Sequence, residues 1–139
     1  MKSIYIVGAG GLGKEVFILI EDINFNSQTF EIKGFLDSDK RKKHVKIGTR
    51  IIEVFEEELF LEENSQNSNI NLAIAIGSPV LLKKVTEYYK ENTKFVFPNL
   101  IHPSVQYRID TLHLNEGNII SANTFISTDV TLGSFNIIN

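Results

Sequence analysis

Apolar residues set two different rhythms along this chain, and the change between them falls near residue 100. Ile4 to Val7 is a short apolar run that predicts a buried strand. Val16, Leu19, Ile20 and Ile23 then recur at helical spacing and predict an amphipathic helix behind a glycine-rich turn. Asn24 to Thr29 is polar and loop-like, and Phe30 to Leu36 alternates as a second strand ending at Asp37. Val45 to Val54 holds two apolar clusters around Gly48 and settles on neither period. Phe55 to Glu63 reads as a helix, Ile70 to Ile76 as a buried strand, and Lys94 to Phe97 as another strand closed by Pro98. Between those two strands, Val80, Leu81, Leu82, Val85, Tyr88 and Tyr89 form the apolar side of a helix that Pro79 opens. Strands alternating with helices imply a parallel sheet with helices on its faces, and ligands of such sheets lie at the carboxyl ends of the strands.

From Ile101 no helical period survives. Leu114, Ile120, Ile126, Leu132 and Ile138 recur every six residues, with small or turn-forming residues between them. Alternating strands would repeat every two residues. A period of six is the mark of a β-helix, in which each apolar residue points into a prism and three hexads close one coil. The predicted division is therefore a Rossmann-like unit over residues 1–100 and the start of a β-helix over 101–139.

The candidate chemistry begins at the first turn. Gly8-Ala9-Gly10-Gly11-Leu12-Gly13 follows the first strand and opens the first helix. In that context Gly8 reverses the chain, Gly10 lets backbone approach a pyrophosphate, and Gly13 lets helix and strand pack closely. The helix start adds free N–H groups and the positive end of its dipole, so the turn is a candidate phosphate cradle. Its bland alternative is a tight βα turn that binds nothing. Asp37 stands where such folds place an acid for ribose hydroxyls, and it is equally suited to start the turn Asp37-Ser38-Asp39. Gly77 and Ser78 fall on the same predicted edge.

Composition narrows the function classes. The net charge of −3 argues against a nucleic-acid or anionic-membrane surface, and the basic run Lys40 to Lys43 adjoins Asp37 and Asp39 as a solvated loop. With no cysteine, disulfides, thiolate metal sites and a cysteine nucleophile are excluded. The glutamates of 56–63 splay round a helix instead of converging on a cation. No stretch has the length of a membrane span or of a signal h-region, and the expectation is a soluble cytoplasmic protein.

Taken together, Ile6 to Val16, Gly34-Phe35-Leu36-Asp37, Ala75-Ile76-Gly77-Ser78, Ile101-His102-Pro103-Ser104 and the hexads resemble bacterial sugar acetyltransferases of the sialic-acid O-acetyltransferase and bacillosamine N-acetyltransferase type. The resemblance implies an N-terminal Rossmann-like domain for a nucleotide-linked sugar, UDP- or CMP-linked, and a left-handed β-helix that trimerises. It implies acetyl-CoA as co-substrate, bound between β-helices, no metal, and a histidine general base. It assigns Gly8, Ala9, Gly10, Gly11, Leu12 and Gly13 to the phosphates, Asp37 to base or ribose, Gly77 and Ser78 to the sugar side, and Lys83 as a basic residue on the following helix. Ser38 stands where many members carry a second acid.

No residue matches the family's catalytic histidine, which is expected beyond Asn139 with further coils; the chain reads as the front part of such an enzyme. Leu114 to Asn139 amounts to little more than one coil, expected to be poorly ordered alone or to pack on other chains. His44 is expected exposed, His102 to serve a turn at the junction, and His113 to face solvent beside an inward Leu114; none has an acid partner nearby in sequence. The competing classes are an NAD-dependent oxidoreductase, an adenylating enzyme of the ubiquitin-activating type, and a binding module without catalysis.

Overall fold

Lys2–Val7 forms β1 at the centre of a sheet, and its apolar residues Ile4, Ile6 and Val7 are almost wholly buried. The computed structural model describes residues 1–139. Helix α1, Gly11–Asn26, packs Val16, Phe17, Leu19 and Ile20 against the sheet. The helix runs further than its polar end suggests, because the Asn24 side chain ties it to the next strand. Asn24 Oδ1 accepts the N–H groups of Thr29 and Phe30, and Nδ2 donates to the Phe30 carbonyl at 2.8 Å. Strand β2, Phe30–Asp37, pairs with β1 in parallel.

The stretch that the sequence left unsettled is a hairpin of β3, His44–Ile47, and β4, Arg50–Glu56, turning at Gly48. Strand β4 lies parallel to β2, and only β3 is antiparallel, at the edge. Phe55 thus lies within a strand instead of starting a helix, and α2 is Glu57–Asn64. Strand β5, Asn71–Ile74, pairs with β1 on its other side, giving the order β3-β4-β2-β1-β5. Helix α3, Pro79–Asn92, starts at an N-cap where Ser78 Oγ accepts the Leu81 N–H. Its buried side carries Thr86 and Tyr89 with Leu82 and Val85, whereas Val80, Leu81 and Tyr88 are exposed. The expected strand at 94–97 is reduced to one bridge, Val96 to Asn71, because Pro98 removes the donor needed to extend it.

The coils begin at Leu100. Strands β6 (Leu100–Ile101), β8 (Ile119–Ile120) and β10 (Ile137–Ile138) stack in parallel, and β7 (Leu112–Leu114) stacks on β9 (Val130–Leu132). A bridge from Gln106 to Phe125 marks the third face. Two full coils and the first strand of a third are therefore present, one coil more than the six-residue period reveals. Val105, Ile120 and Ile126 fill the prism with Ile101, Leu112, Val130, Leu132 and Ile138. The corner residues Gly117, Asn123, Asp129 and Phe135 all have φ between 58 and 72°, one left-handed residue per hexad. Sheet and coils share a core, since Leu100 and Ile119 pack in the same cluster as Ile4, Ile6, Val16 and Ile20.

Candidate functional site

Four parallel strands end on one edge, and the turns that leave them bring Gly8, Asp37, Glu57 and Gly77 to that edge. The glycine turn is shaped by close backbone contact. Gly8 has φ +104°, and a Cβ there would meet the Ala75 carbonyl oxygen at 2.5 Å. At Gly13 a Cβ would lie 2.0 Å from the Gly8 carbonyl oxygen, so only glycine lets α1 start this close to β1. Gly10 and Gly11 are different: a Cβ at either meets nothing within 4 Å, and both residues are exposed. The turn is thus rigid where it touches the sheet and open where it faces outward. The first N–H groups of α1 lie in this open part and have no intrahelical acceptor.

Asp37 holds the turn in place. Its Oδ2 accepts the Ala9 N–H at 3.0 Å, and Oδ1 accepts the Asp39 N–H at 2.8 Å. The turn-starting role considered from sequence is present, and the carboxylate, whose side chain is 14% exposed, keeps further lone pairs beyond these two bonds. Lys42 Nζ stands 3.6 Å from Oδ2, a cation beside the glycine turn that the sequence placed in a solvated loop. Its neighbours Lys40 and Arg41 do pair outward, with Glu56 and Glu58 and with Asp39.

A cleft of about 190 Å3 opens over this edge. It is lined by Gly8, Asp37, Ser38 and Glu57 together with the apolar residues Ile76, Leu81 and Val85. Of the residues singled out in the sequence, Gly8, Asp37 and Ser38 meet here, with Ala9 bound to Asp37 and Gly10 and Gly11 adjoining. Gly77 is exposed just before α3, and the Ser78 hydroxyl is engaged in capping that helix. Lys83 is not brought to the cleft: it lies about 200° round α3 from Leu81, on the flank where Lys90 pairs with Glu116.

Leu12 turns its side chain to a second, larger cleft of about 510 Å3 between α1 and the coils. His102 is the polar post of that cleft. Its Nδ1 accepts the Ser104 N–H at 3.0 Å, which leaves the proton on Nε2 to be donated to Asp22 Oδ2 at 3.0 Å. The acid partner missing in sequence comes from α1, eighty residues away. His113 is exposed beside an inward Leu114, and His44 is exposed on β3. No histidine stands at the glycine turn.

A glycine-turn cradle on a parallel sheet, continued by stacked β-coils, defines a Rossmann-like domain joined to a β-helix. Residues 3–89 match the family model of the PglD N-terminal domain, and the chain belongs to that family. No curated protein sequence matched the chain. Among solved structures it is similar to PerB from Caulobacter crescentus in complex with CoA and GDP-perosamine, with 25% identity, a TM-score of 0.74, and coverage of 100% of this chain and 60% of that one. A variant of the perosamine N-acetyltransferase from the same organism gives 25% identity, a TM-score of 0.75 and the same 100% and 60% coverage. The acetyltransferase domain of PglB from Neisseria gonorrhoeae in complex with acetyl coenzyme A shares the fold, with 22% identity, a TM-score of 0.79, and coverage of 99% and 62%. The resemblance to bacterial sugar acetyltransferases is borne out, and the chain spans about three fifths of the length of these relatives. No helix is long and apolar enough to cross a membrane.

Proposed function

We propose that this chain is the nucleotide-sugar-binding portion of an acetyltransferase that moves acetyl from acetyl-CoA to an amine or hydroxyl of a sugar. The observation that carries this is the Asp37 clamp on Ala9, which presents Gly10 and Gly11 open beside a cleft. The diphosphate lies on the turn from Gly8 to Gly13 against the first N–H groups of α1, where backbone donors and the helix dipole favour an anion. The ribose hydroxyls take the remaining lone pairs of Asp37, with Ser38 next to them, and the sugar extends toward Gly77 and Ser78. The GDP-perosamine held by the Caulobacter relative supports a nucleoside diphosphate sugar as the class of ligand. Acetyl-CoA is the co-substrate of the whole enzyme, working in the cytoplasm as a homotrimer, and the residues described here bind and orient the acceptor.

Titration calorimetry with nucleoside diphosphates, NAD and ATP tests the reading. Binding of a nucleoside diphosphate more tightly than NAD supports it; the reverse order returns the site to an oxidoreductase.

Cation assignment gives a second test. Lys42 adjoins Asp37 whereas Lys83 is on the far flank of α3. Lys42→Gln is expected to weaken nucleoside diphosphate binding about tenfold, the size of one charge-assisted contact, while Lys83→Gln changes it less than about twofold. The Lys42 contribution should shrink as salt rises from about 0.1 to about 1 M, since the Debye length falls from about 10 to about 3 Å. Equal losses for the two variants would remove Lys42 from the site.

A further inference from the structure

The cleft over Gly8 and Asp37 is also lined by Glu57, an acid that the proposed phosphate and ribose contacts leave unused. Glu57 is the first residue of α2 and directly follows β4, so the same sheet edge that positions Asp37 positions it. Tyr89 on α3 is 1% exposed, and its hydroxyl donates to Glu57 Oε2. Burial pushes the Tyr89 phenol up, and the Glu57 charge adds to the shift, so the hydroxyl remains a permanent donor. A permanent donor fixes the carboxylate in one orientation and leaves Oε1, with a second lone pair on Oε2, for another partner. Val7, Leu36, Ile76, Leu81 and Val85 line the same cleft, apolar groups suited to the face of a flat ring.

Glu57 leaves the strand next to that of Asp37 on the same edge, so a base reaching past the ribose would meet Ser38 and Glu57. We propose that Glu57, held by Tyr89, reads the base and selects guanine. Guanine presents its N1–H and an N2–H side by side, and one carboxylate accepts both in parallel. Uracil presents a single N3–H between two carbonyls, whose lone pairs would face the carboxylate oxygens. Adenine and cytosine each set an amino donor beside a ring-nitrogen acceptor, so they offer one good bond and one repulsive contact. A site built around two donors discriminates strongly against rings that lack one, because a buried acceptor is then left unpaired.

This assignment rests on the proposed nucleotide-sugar site and is tested by titrating the chain with GDP, UDP, CDP and ADP. GDP is expected to bind at least about tenfold more tightly than the other three. Glu57→Gln should remove that preference by weakening GDP about tenfold while leaving UDP within about twofold, since Gln offers one acceptor and a donor in place of two acceptors. Tyr89→Phe should lower the GDP-to-UDP affinity ratio without touching the ligand, the mark of a positioning residue. UDP binding as tightly as GDP, or a Glu57→Gln loss equal for all four, overturns the assignment and leaves the nucleotide-sugar reading standing. Absence of binding by any of the four defeats that reading and this one together. Should Glu57→Gln fail to fold, the wild-type order of affinities decides.

Discussion

Gly13→Ala is expected to lower the stability of the chain by about 3 kcal/mol or more, at the upper end of what overpacking costs. The new Cβ would lie 2.0 Å from the Gly8 carbonyl oxygen, a backbone atom with no rotamer to change. Gly8 has little freedom to retreat, being at φ +104° with its own Cβ position 2.5 Å from the Ala75 oxygen. Relief requires moving α1 off the sheet and with it Val16 and Ile20, which are at most 1% exposed. A loss of that size is a large share of the roughly 5–15 kcal/mol that holds a domain together. Gly10→Ala is the matched control. Gly10 has φ −96° and ψ −160°, a conformation open to alanine, and nothing lies within 4 Å of its Cβ position. Its unfolding free energy in urea should stay within about 0.5 kcal/mol of wild type, while nucleoside diphosphate affinity falls about tenfold or more as the methyl occupies the approach path. Urea unfolding followed by circular dichroism, with calorimetric titration, reads both. A Gly10→Ala chain that binds normally would move the phosphate away from this turn.

The contrast between those glycines also shows where sequence reading stops. The spacing of Gly8, Gly10 and Gly13 made the turn legible, because a strand, a glycine turn and a helix are local along the chain. The packing role of Gly13 and the open Gly10 were legible in the same way, whereas the contact that hems in Gly8 comes from Ala75, far off in sequence. The same limit explains Glu57. Its row of acidic neighbours has the pattern of a solvated helix, and only the long-range approach of Tyr89 and the end of β4 sets it over the cleft. The positions of Lys42 beside Asp37 and of Lys83 away from the cleft were not legible for a related reason: proximity to a motif in sequence gives no information about the flank on which a side chain emerges. The hexads were legible from Leu114 because they repeat without a break. The earlier coil was hidden by one extra residue. Leu100 pairs with Ile119, nineteen positions on, whereas Ile119 pairs with Ile137, eighteen on. That insertion erases the six-residue period while the prism continues.

Asn118 is where a single change should damage both parts of the chain. The residue is fully buried and polar, lying between Asn99 in the coil before and Asn136 in the coil after. Its N–H and Nδ2 donate to Asn99 Oδ1, and Nδ2 also donates to the Gly133 carbonyl, each at 2.9 Å. Its Oδ1 accepts from the N–H and Nδ2 of Asn136. Asn118→Ala removes the donor to the Gly133 carbonyl and the acceptor of both Asn136 groups, while the Asn118 N–H still serves Asn99 Oδ1. At about 1–3 kcal/mol for each unsatisfied group, a total near 4 kcal/mol is expected. Asn118→Asp should be worse, because it keeps the acceptor, loses the donor and buries a charge. The loss should not stay in the coils. Ile119, the next residue, packs with Ile4, Val16 and Ile20 of the sheet and α1, so sheet and coils are expected to unfold as one unit. Amide hydrogen exchange checks this: in Asn118→Ala, protection of β1 and β2 should fall together with that of β8 and β10. If β8 and β10 lose protection while β1 and β2 keep theirs, the shared core does not couple the two halves. The proposed nucleotide site would then stand on the sheet and its helices alone.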